Sequence, residues 1–247
     1  DGKHDAGDAR PEAGDCDVAI LGGTAFINGL LAFVAEEDRD DRGDDADRSA
    51  EAGSEDERGD RADGGDETAG GEAVVGAGVV GSLVAYLCGR IAGTDVTLVD
   101  INSSRLELAG KLGVNFAEPG NAKADCDLVV HASGSPDGLR TALELAGDEA
   151  TVLEMSWYGD TAVTAMLGGP FHSRRLRLVS SQVGSIAPSH RPRWTHGRRL
   201  AAAIALLSDP KLDALLAPAV AFGDLPERLP GILDAGSGIL CQPIIYS

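Results

Sequence analysis

The six residues Gly76-Ala77-Gly78-Val79-Val80-Gly81 constrain this chain more than any other segment. They follow the apolar run Ala73-Val74-Val75 and open a stretch of small residues that reads as a helix. A G-x-G-x-x-G between a strand and a helix has three physical uses. The first glycine allows a tight turn, the second lets phosphates approach the backbone, and the third lets the helix pack closely on the strand. The helix N-terminus adds free N–H groups and partial positive charge for an anion. In a chain with 33 glycines the motif alone is weak, but its second half is present. Residues Asp95 to Asp100 read as the next strand, and Asp100 stands 19 residues after Gly81. A carboxylate there accepts hydrogen bonds from ribose hydroxyls and repels a 2′-phosphate, which favours NAD over NADP as the bound dinucleotide. The plainer alternative for Asp100 is a cap on the helix that begins near Asn102.

The rest of the back three quarters repeats the same alternation. Short β-branched runs predict strands near 73–76, 95–99, 114–117, 127–132, 151–156 and 176–181. Helical patterns fill 78–92, 103–112, 136–146, 196–208 and 225–235. Runs such as Leu128-Val129-Val130 are apolar on both faces, as in a parallel sheet covered by helices on both sides. The fold class is therefore α/β: a Rossmann-type, doubly wound parallel sheet in three α/β/α layers. Local chemistry sets the ends. Ser103 or Asn102 caps the helix that carries Arg105, Glu107 and Lys111 on its wet side, the Glu107/Lys111 pair being in the favourable i,i+4 order, and Gly113 closes it. Thr195 caps a helix whose apolar stripe is Leu200, Ala203, Ile204 and Leu207, and Asp209-Pro210 stops it. Asp224 with Glu227 resembles a capping box, and Pro230 predicts a kink.

Charge divides the chain at residue 72. Residues 1–72 hold 23 of the 40 acids and 7 of the 21 bases, net −16 of the total −19, which leaves −3 for residues 73–247. A balance this acidic offers no large basic field to release counterions, which argues against general phosphate-backbone binding, and nucleic acid is not expected as a partner. Residues 36–72 contain no apolar side chain larger than alanine, and such a stretch cannot offset ~1–2 kcal/mol per residue of ordering entropy. Residues 1–72 read as an acidic, low-complexity, disordered segment: an interaction tail, a solvated linker, or the product of a shifted reading frame in a high-GC gene. The uncharged run Val18 to Ala35 has the length of a membrane span, but Gly22, Gly23, Asn28 and Gly29 lie inside it and both flanks are acidic. A buried helix, a strand pair or an unfolded sticky segment fits it better, and no membrane association is expected. The opening Asp1-Gly2-Lys3-His4 has no signal-peptide pattern and no initiator Met, as in a fragment or processed chain. Cys16, Cys88, Cys126 and Cys241 are scattered without C-x-x-C spacing, which fits a reduced cytoplasmic protein.

Residues 73–247 resemble the cofactor-binding part of the medium-chain, zinc-dependent alcohol dehydrogenase family. The glycine loop, Val99-Asp100-Ile101, Arg105 to Ala109, Lys111 to Val114, Asp127 to Val130, Ala132-Ser133-Gly134-Ser135 and Leu225 to Leu229 arrive in that family's order. The resemblance implies an oxidoreductase that moves a hydride between an alcohol carbon and nicotinamide. It implies a dinucleotide cradle of Gly76, Gly78, Val79, Val80 and Gly81, with Asp100 and Arg105 at the adenosine ribose. Ala132, Ser133 and Gly134 would wall the cofactor, and backbone at Ser156, Trp157, Ser181 and Gln182 would hold the nicotinamide amide. It also implies a homodimer joined edge to edge through the strands near 151–156 and 176–181.

The departures from that family are as informative. Its members carry a zinc-bearing domain before the glycine loop, and residues 1–72 supply one Cys, one His and no Gly-His-Glu triplet. Catalytic zinc needs three protein ligands and an open position. No ligand set is legible, so turnover is expected to be impaired, and the catalytic residues are unassigned. The first strand reads as shortened, because Ala69-Gly70-Gly71 stands where relatives continue an apolar run. A regulatory nucleotide-sensing module is the alternative, and a methyltransferase using S-adenosylmethionine a more distant one. His131 reads as a core or pocket residue. No two of His131, His172, His190 and His196 share a metal-like spacing. Arg174, Arg175, Arg177, Arg191, Arg193, Arg198 and Arg199 read as a solvated loop and helix face rather than an anion site.

Overall fold

The computed structural model describes residues 71–188, 190–234 and 236–246. The expectations for the acidic segment and for the Val18 to Ala35 run fall outside the described residues. Six parallel strands form one sheet: β1 (Gly71–Val75), β2 (Asp95–Val99), β3 (Asn115–Ala117), β4 (Cys126–His131), β5 (Ala146–Glu154) and β6 (Arg177–Ser180). Their order is β3-β2-β1-β4-β5-β6. The chain therefore winds outward from β1 in one direction and then, from β4, in the other. Such a reversal leaves a crevice at the carboxyl ends of the strands, between β1 and β4.

Helices α1 (Val79–Cys88), α2 (Arg105–Leu112) and α3 (Pro136–Leu145) make the crossovers. Side chains alternate across the sheet with period two. Val74, Leu98, Leu128, Val130 and Leu153 face α1, packing with Val84, Ala85 and Cys88. Ala73, Val75, Val99, Val129 and Val152 face the other way, onto Leu139, Ala142 and Leu143 of α3. The inner strands β1, β2, β4 and β5 are buried on both faces, which is why their apolar runs are continuous, whereas the edge strands β3 and β6 are partly or wholly exposed.

Several ends differ from expectation. β1 begins at Gly71, so Gly71 and Glu72 belong to the sheet and not to the preceding segment. α1 stops at Cys88 with Gly89 as its C-cap, and Thr94 Oγ1 donates to the Cys88 carbonyl at 2.8 Å, satisfying a helix-end acceptor. The N-cap of α2 is Ser104, with no side-chain cap bond. Asp100 and Asn102 build the preceding turn instead, accepting from the Asn102 and Ser104 amides at 2.8 and 3.0 Å. Gly113 closes α2 at φ +81°, and Lys111 meets Glu107 at 2.7 Å. β5 starts five residues before the expected strand, with Ala146 paired to Cys126 across a register irregularity.

After β5 a short helix α4 (Pro170–Ser173) precedes β6, and α5 (His196–Leu206) follows it, capped by Thr195 Oγ1 on the Arg198 amide at 3.1 Å. The apolar stripe of α5 is not buried: Leu200, Ile204 and Leu207 are exposed, and Ala203 and Arg199 are the covered positions. Arg199 departs from the solvated reading of the arginines, since its guanidinium donates to the carbonyls of Val183 and Ser185 at 2.7 and 3.1 Å. Arg174 likewise holds the Ala146 carbonyl at 2.6 Å, while Arg175 forms an exposed pair with Glu149. Arg199 and Arg174 thus satisfy backbone carbonyls of neighbouring segments.

The described residues divide into two units, one ending at Leu215 and one beginning at Leu216. In the second, β7 (Val220–Ala221) and β8 (Ile244–Ile245) pair in parallel, and Phe222 stacks on Tyr246 at 4.8 Å. Its helix α6 (Leu225–Leu233) contains Pro230. The expected capping box is absent, because Asp224 sits in helical backbone geometry and makes no side-chain cap bond.

Candidate functional site

The turn after β1 has the geometry its glycines require. Gly76 lies at φ +108°, and a Cβ there would stand 2.6 Å from the Ser133 Cα. A Cβ on Gly81 would come within 1.8 Å of the Gly76 carbonyl oxygen, so only glycine lets α1 seat against the turn. Around Gly78 a Cβ would meet nothing within 4 Å, which leaves an open approach to the start of α1. No acid occupies the first turn of α1, so the partial positive charge of its N-terminus is unopposed. These positions fit a pyrophosphate.

Asp100 follows β2 and is half-buried beside the turn. Its Oδ2 accepts the Ala77 amide at 2.6 Å and its Oδ1 the Asn102 amide at 2.8 Å. The carboxylate therefore braces the glycine turn, a role the sequence did not suggest, and it shapes the turn before α2 without being that helix's cap, which is Ser104. A carboxylate has about four acceptor sites, which leaves capacity for sugar hydroxyls. Arg105 opens α2 five residues on and is half-buried.

The other expected residues follow the carboxyl ends of β4, β5 and β6. Ala132 donates its amide to the Val75 carbonyl at 2.8 Å, fastening this wall to β1. Gly134 donates to Ser156 Oγ at 3.0 Å, so the segments after β4 and β5 are tied together. Ser181 donates to the Glu154 carbonyl at 2.8 Å, and Gln182 Oε1 accepts the Gly184 amide. Trp157 is 88% exposed. The turn at 76–81, the wall at 132–134 and the Ser156 and Ser181 backbone thus share one edge of one sheet.

A buried polar network lies in the same edge and extends the sequence reading of His131. His131 has no exposed surface, and its Nδ1 lies 2.9 and 2.8 Å from the two Glu154 oxygens. Its Nε2 lies 2.7 Å from Ser133 Oγ. The strand register places His131 directly beside Glu154, on the face covered by α3. Glu154 also accepts the Ser156 amide at 2.7 Å and the Tyr158 hydroxyl at 3.2 Å. Burial pushes the Glu154 carboxyl up, but the His131 hydrogen bond and charge and the Ser156 amide outweigh it and hold the group below its ordinary range. Tyr158 is pushed up to about 12 by burial and by the Glu154 charge. Glu154 and Tyr158 are absent from the sequence-based site. The signal for Glu154 was an acid ending the apolar run Val152-Leu153 in register with a strand-ending histidine.

Metal binding has no comparable support. Among the described residues no three His, Cys, Asp or Glu side chains converge on a metal position. Burial pushes the Cys126 thiol up to about 11 and raises that of Cys241, the opposite of what a metal-bound thiolate needs. The described residues do not fit a catalytic zinc.

No family model matches the chain. D-guloside 3-dehydrogenase of Escherichia coli is 26% identical over 175 residues, spanning 65% of this chain and 50% of that protein. The chain therefore spans about half the length of this curated relative. Galactitol-1-phosphate dehydrogenase from Escherichia coli superposes with a TM-score of 0.59 at 20% identity, covering 90% of this chain and 58% of the other. An oxidoreductase from Salmonella enterica in complex with NADP gives 0.59 at 16% identity, covering 91% and 62%. Relatives and neighbours converge on the resemblance carried by the glycine loop and the segments after it. The relatives and structural neighbours of this chain are dehydrogenases and oxidoreductases, among them L-threonine 3-dehydrogenase, L-idonate 5-dehydrogenase and a zinc-binding dehydrogenase from Sinorhizobium meliloti bound to NADP.

Proposed function

We propose that residues from Gly71 onward bind a nicotinamide dinucleotide, NAD in preference to NADP, for hydride transfer between an alcohol and its carbonyl. The observation that carries this reading is the turn at Gly76–Gly81, where two glycines are sterically obligatory and the third leaves the helix N-terminus open. Asp100 supports the NAD preference, since a 2′-phosphate would bring negative charge against a carboxylate already fixed by two amides. The bound nicotinamide supplies the hydride acceptor. The chain's own part is to seat the pyrophosphate on α1, to accept ribose hydroxyls at Asp100, and to wall the reactive ring with residues 132–134 and the Ser156 backbone. The zinc-bearing part of such an enzyme is outside what these residues supply, so this chain binds cofactor better than it turns substrate over.

The same reading includes a homodimer. β6 is an edge strand with Leu178 and Val179 exposed at 38% and 40%, and a bare apolar strand edge is a template for pairing with a second copy. Calorimetric titration tests the cofactor assignment: NADH should bind more tightly than NADPH, and Asp100→Ser should narrow or reverse the gap. A folded protein that takes up neither nucleotide overturns it. Binding without turnover of any alcohol, with a conformational change on uptake, would instead favour a nucleotide-sensing module.

A further inference from the structure

We propose that Ser133, His131 and Glu154 form a nucleophile, base and acid relay that makes Ser133 a reactive hydroxyl, able to take the acyl group of a small activated ester. The proposal stands on geometry within β4, β5 and α3 and does not depend on dinucleotide binding.

Three groups have the distances such chemistry needs. Ser133 Oγ is 2.7 Å from His131 Nε2, and His131 Nδ1 is 2.8 Å from Glu154 Oε2. With Nδ1–H donating to the carboxylate, Nε2 presents its lone pair to the serine hydroxyl, the tautomer a general base requires. The base cannot rotate away, since the ring is wholly buried and held on both nitrogens. The acid is itself fixed by the Ser156 amide and the Tyr158 hydroxyl. The nucleophile alone is exposed. Its oxygen also accepts the Ser135 amide at 3.2 Å, a contact that favours the alkoxide-like state.

The neighbouring helix adds a second observation. A Cβ at Gly138 would stand 2.1 Å from Ser133 Oγ and 2.7 Å from His131 Nε2, so glycine in the first turn of α3 is what brings the helix onto this pair. The N-terminal end of a ten-residue helix therefore adjoins the hydroxyl, where negative charge develops during acyl transfer.

In the reaction Ser133 Oγ attacks the ester carbonyl carbon while its proton passes to His131 Nε2, and Glu154 stabilises the imidazolium. The ester C–O bond then breaks and the imidazolium returns the proton to the departing alkoxide, leaving an acyl-serine. Water, deprotonated by the same imidazole, releases the acid. No electrons change hands.

The whole chain is treated with p-nitrophenyl acetate and, separately, with a fluorophosphonate, and adducts are mapped by mass spectrometry. The expected results are a p-nitrophenolate burst and a single modification at Ser133, both lost in Ser133→Ala. Ser133 is exposed, so that variant retains its fold by circular dichroism. His131→Gln should slow labelling by ~100-fold or more and Glu154→Gln by ~10-fold or more. If Ser133 merely closes the hydrogen bonding of a buried histidine, folded wild-type protein gives no Ser133 adduct, and the proposal falls. An adduct at another residue, or a rate unchanged in a folded His131→Gln variant, overturns it equally.

Discussion

Two glutamates at opposite ends of the same sheet meet opposite fates. Glu72 sits at the amino end of the central strand β1, and Glu154 at the carboxyl end of β5. Burial pushes the Glu72 carboxyl up to about 7; a backbone bond at Asp95 lowers it, but the charges of Asp127 and Asp95 raise it further. Its Oε2 is buried and meets no hydrogen-bond partner among the described residues. Glu154 is as deeply placed, yet it has His131, an amide and a phenol around it and is held low. Both edges of this sheet carry acids, but Glu154 at the carboxyl edge is satisfied and Glu72 at the amino edge is not. At the carboxyl edge, turns and helix N-termini converge and can satisfy charge; at the amino edge, an acid is tolerated rather than used.

The largest expected effect strikes the carboxyl edge itself. Gly81→Ala forces a methyl group onto the Gly76 carbonyl, a backbone atom that cannot swing aside, and should cost about 3 kcal/mol or more in thermal unfolding together with all dinucleotide binding. Next comes the acid of the buried network. Glu154→Gln leaves His131 without its anionic partner and should cost roughly 2 kcal/mol at pH 8 by urea unfolding. The pH dependence carries the sign. A carboxylate held low contributes stability that is present above its ordinary range and is lost as pH falls through its folded value, so the gap between wild type and Glu154→Gln should close on acidification.

Glu72 sharpens the contrast by behaving the other way. A carboxyl raised to about 7 favours the folded state only while protonated, so its cost grows as pH rises from the ordinary carboxylate value toward 7 and is complete above it. Glu72→Gln should therefore raise the unfolding midpoint at pH 8 and leave it unchanged near pH 4.5, by differential scanning fluorimetry. Equal responses of the two glutamates to pH would break the comparison. The smallest effect is a control away from both edges: Lys111→Ala removes an exposed i,i+4 pair and should leave the melting curve unmoved at physiological salt.

The sheet was legible because a parallel strand buried on both faces has no choice but to be apolar, and glycine, Asp-Pro and Thr signals bound the helices between such runs. The glycine turn was legible for a related reason: Gly76 and Gly81 are sterically required, and the spacing between them is fixed by the turn. Glu154 was not, since a strand-ending acid has the same local signature whether it meets solvent or a histidine on the next strand, and only register decides. The α5 stripe misled in the other sense. Leu200, Ile204 and Leu207 have the spacing of a buried face, but periodicity does not say what will cover it, and here those side chains remain exposed. Asp224 and Glu227 have capping-box spacing, yet the cap depends on extended backbone at Asp224 that the chain does not adopt there.

The central position of β1 has a kinetic consequence. It is the first strand of the sheet to leave the ribosome, yet its partners come later, with Gly71 waiting for Asp95 and Val75 for both Val99 and His131. The β1–α1–β2 unit closes a short loop and can condense as soon as Val99 has emerged, which is the half that carries the glycine turn and Asp100. The His131–Glu154 pair must await β5. Long-range parallel pairing is the slow part of such a fold. Phosphate-binding capacity should thus appear early in refolding and the buried acid–base network late, as two resolvable phases of one assembly.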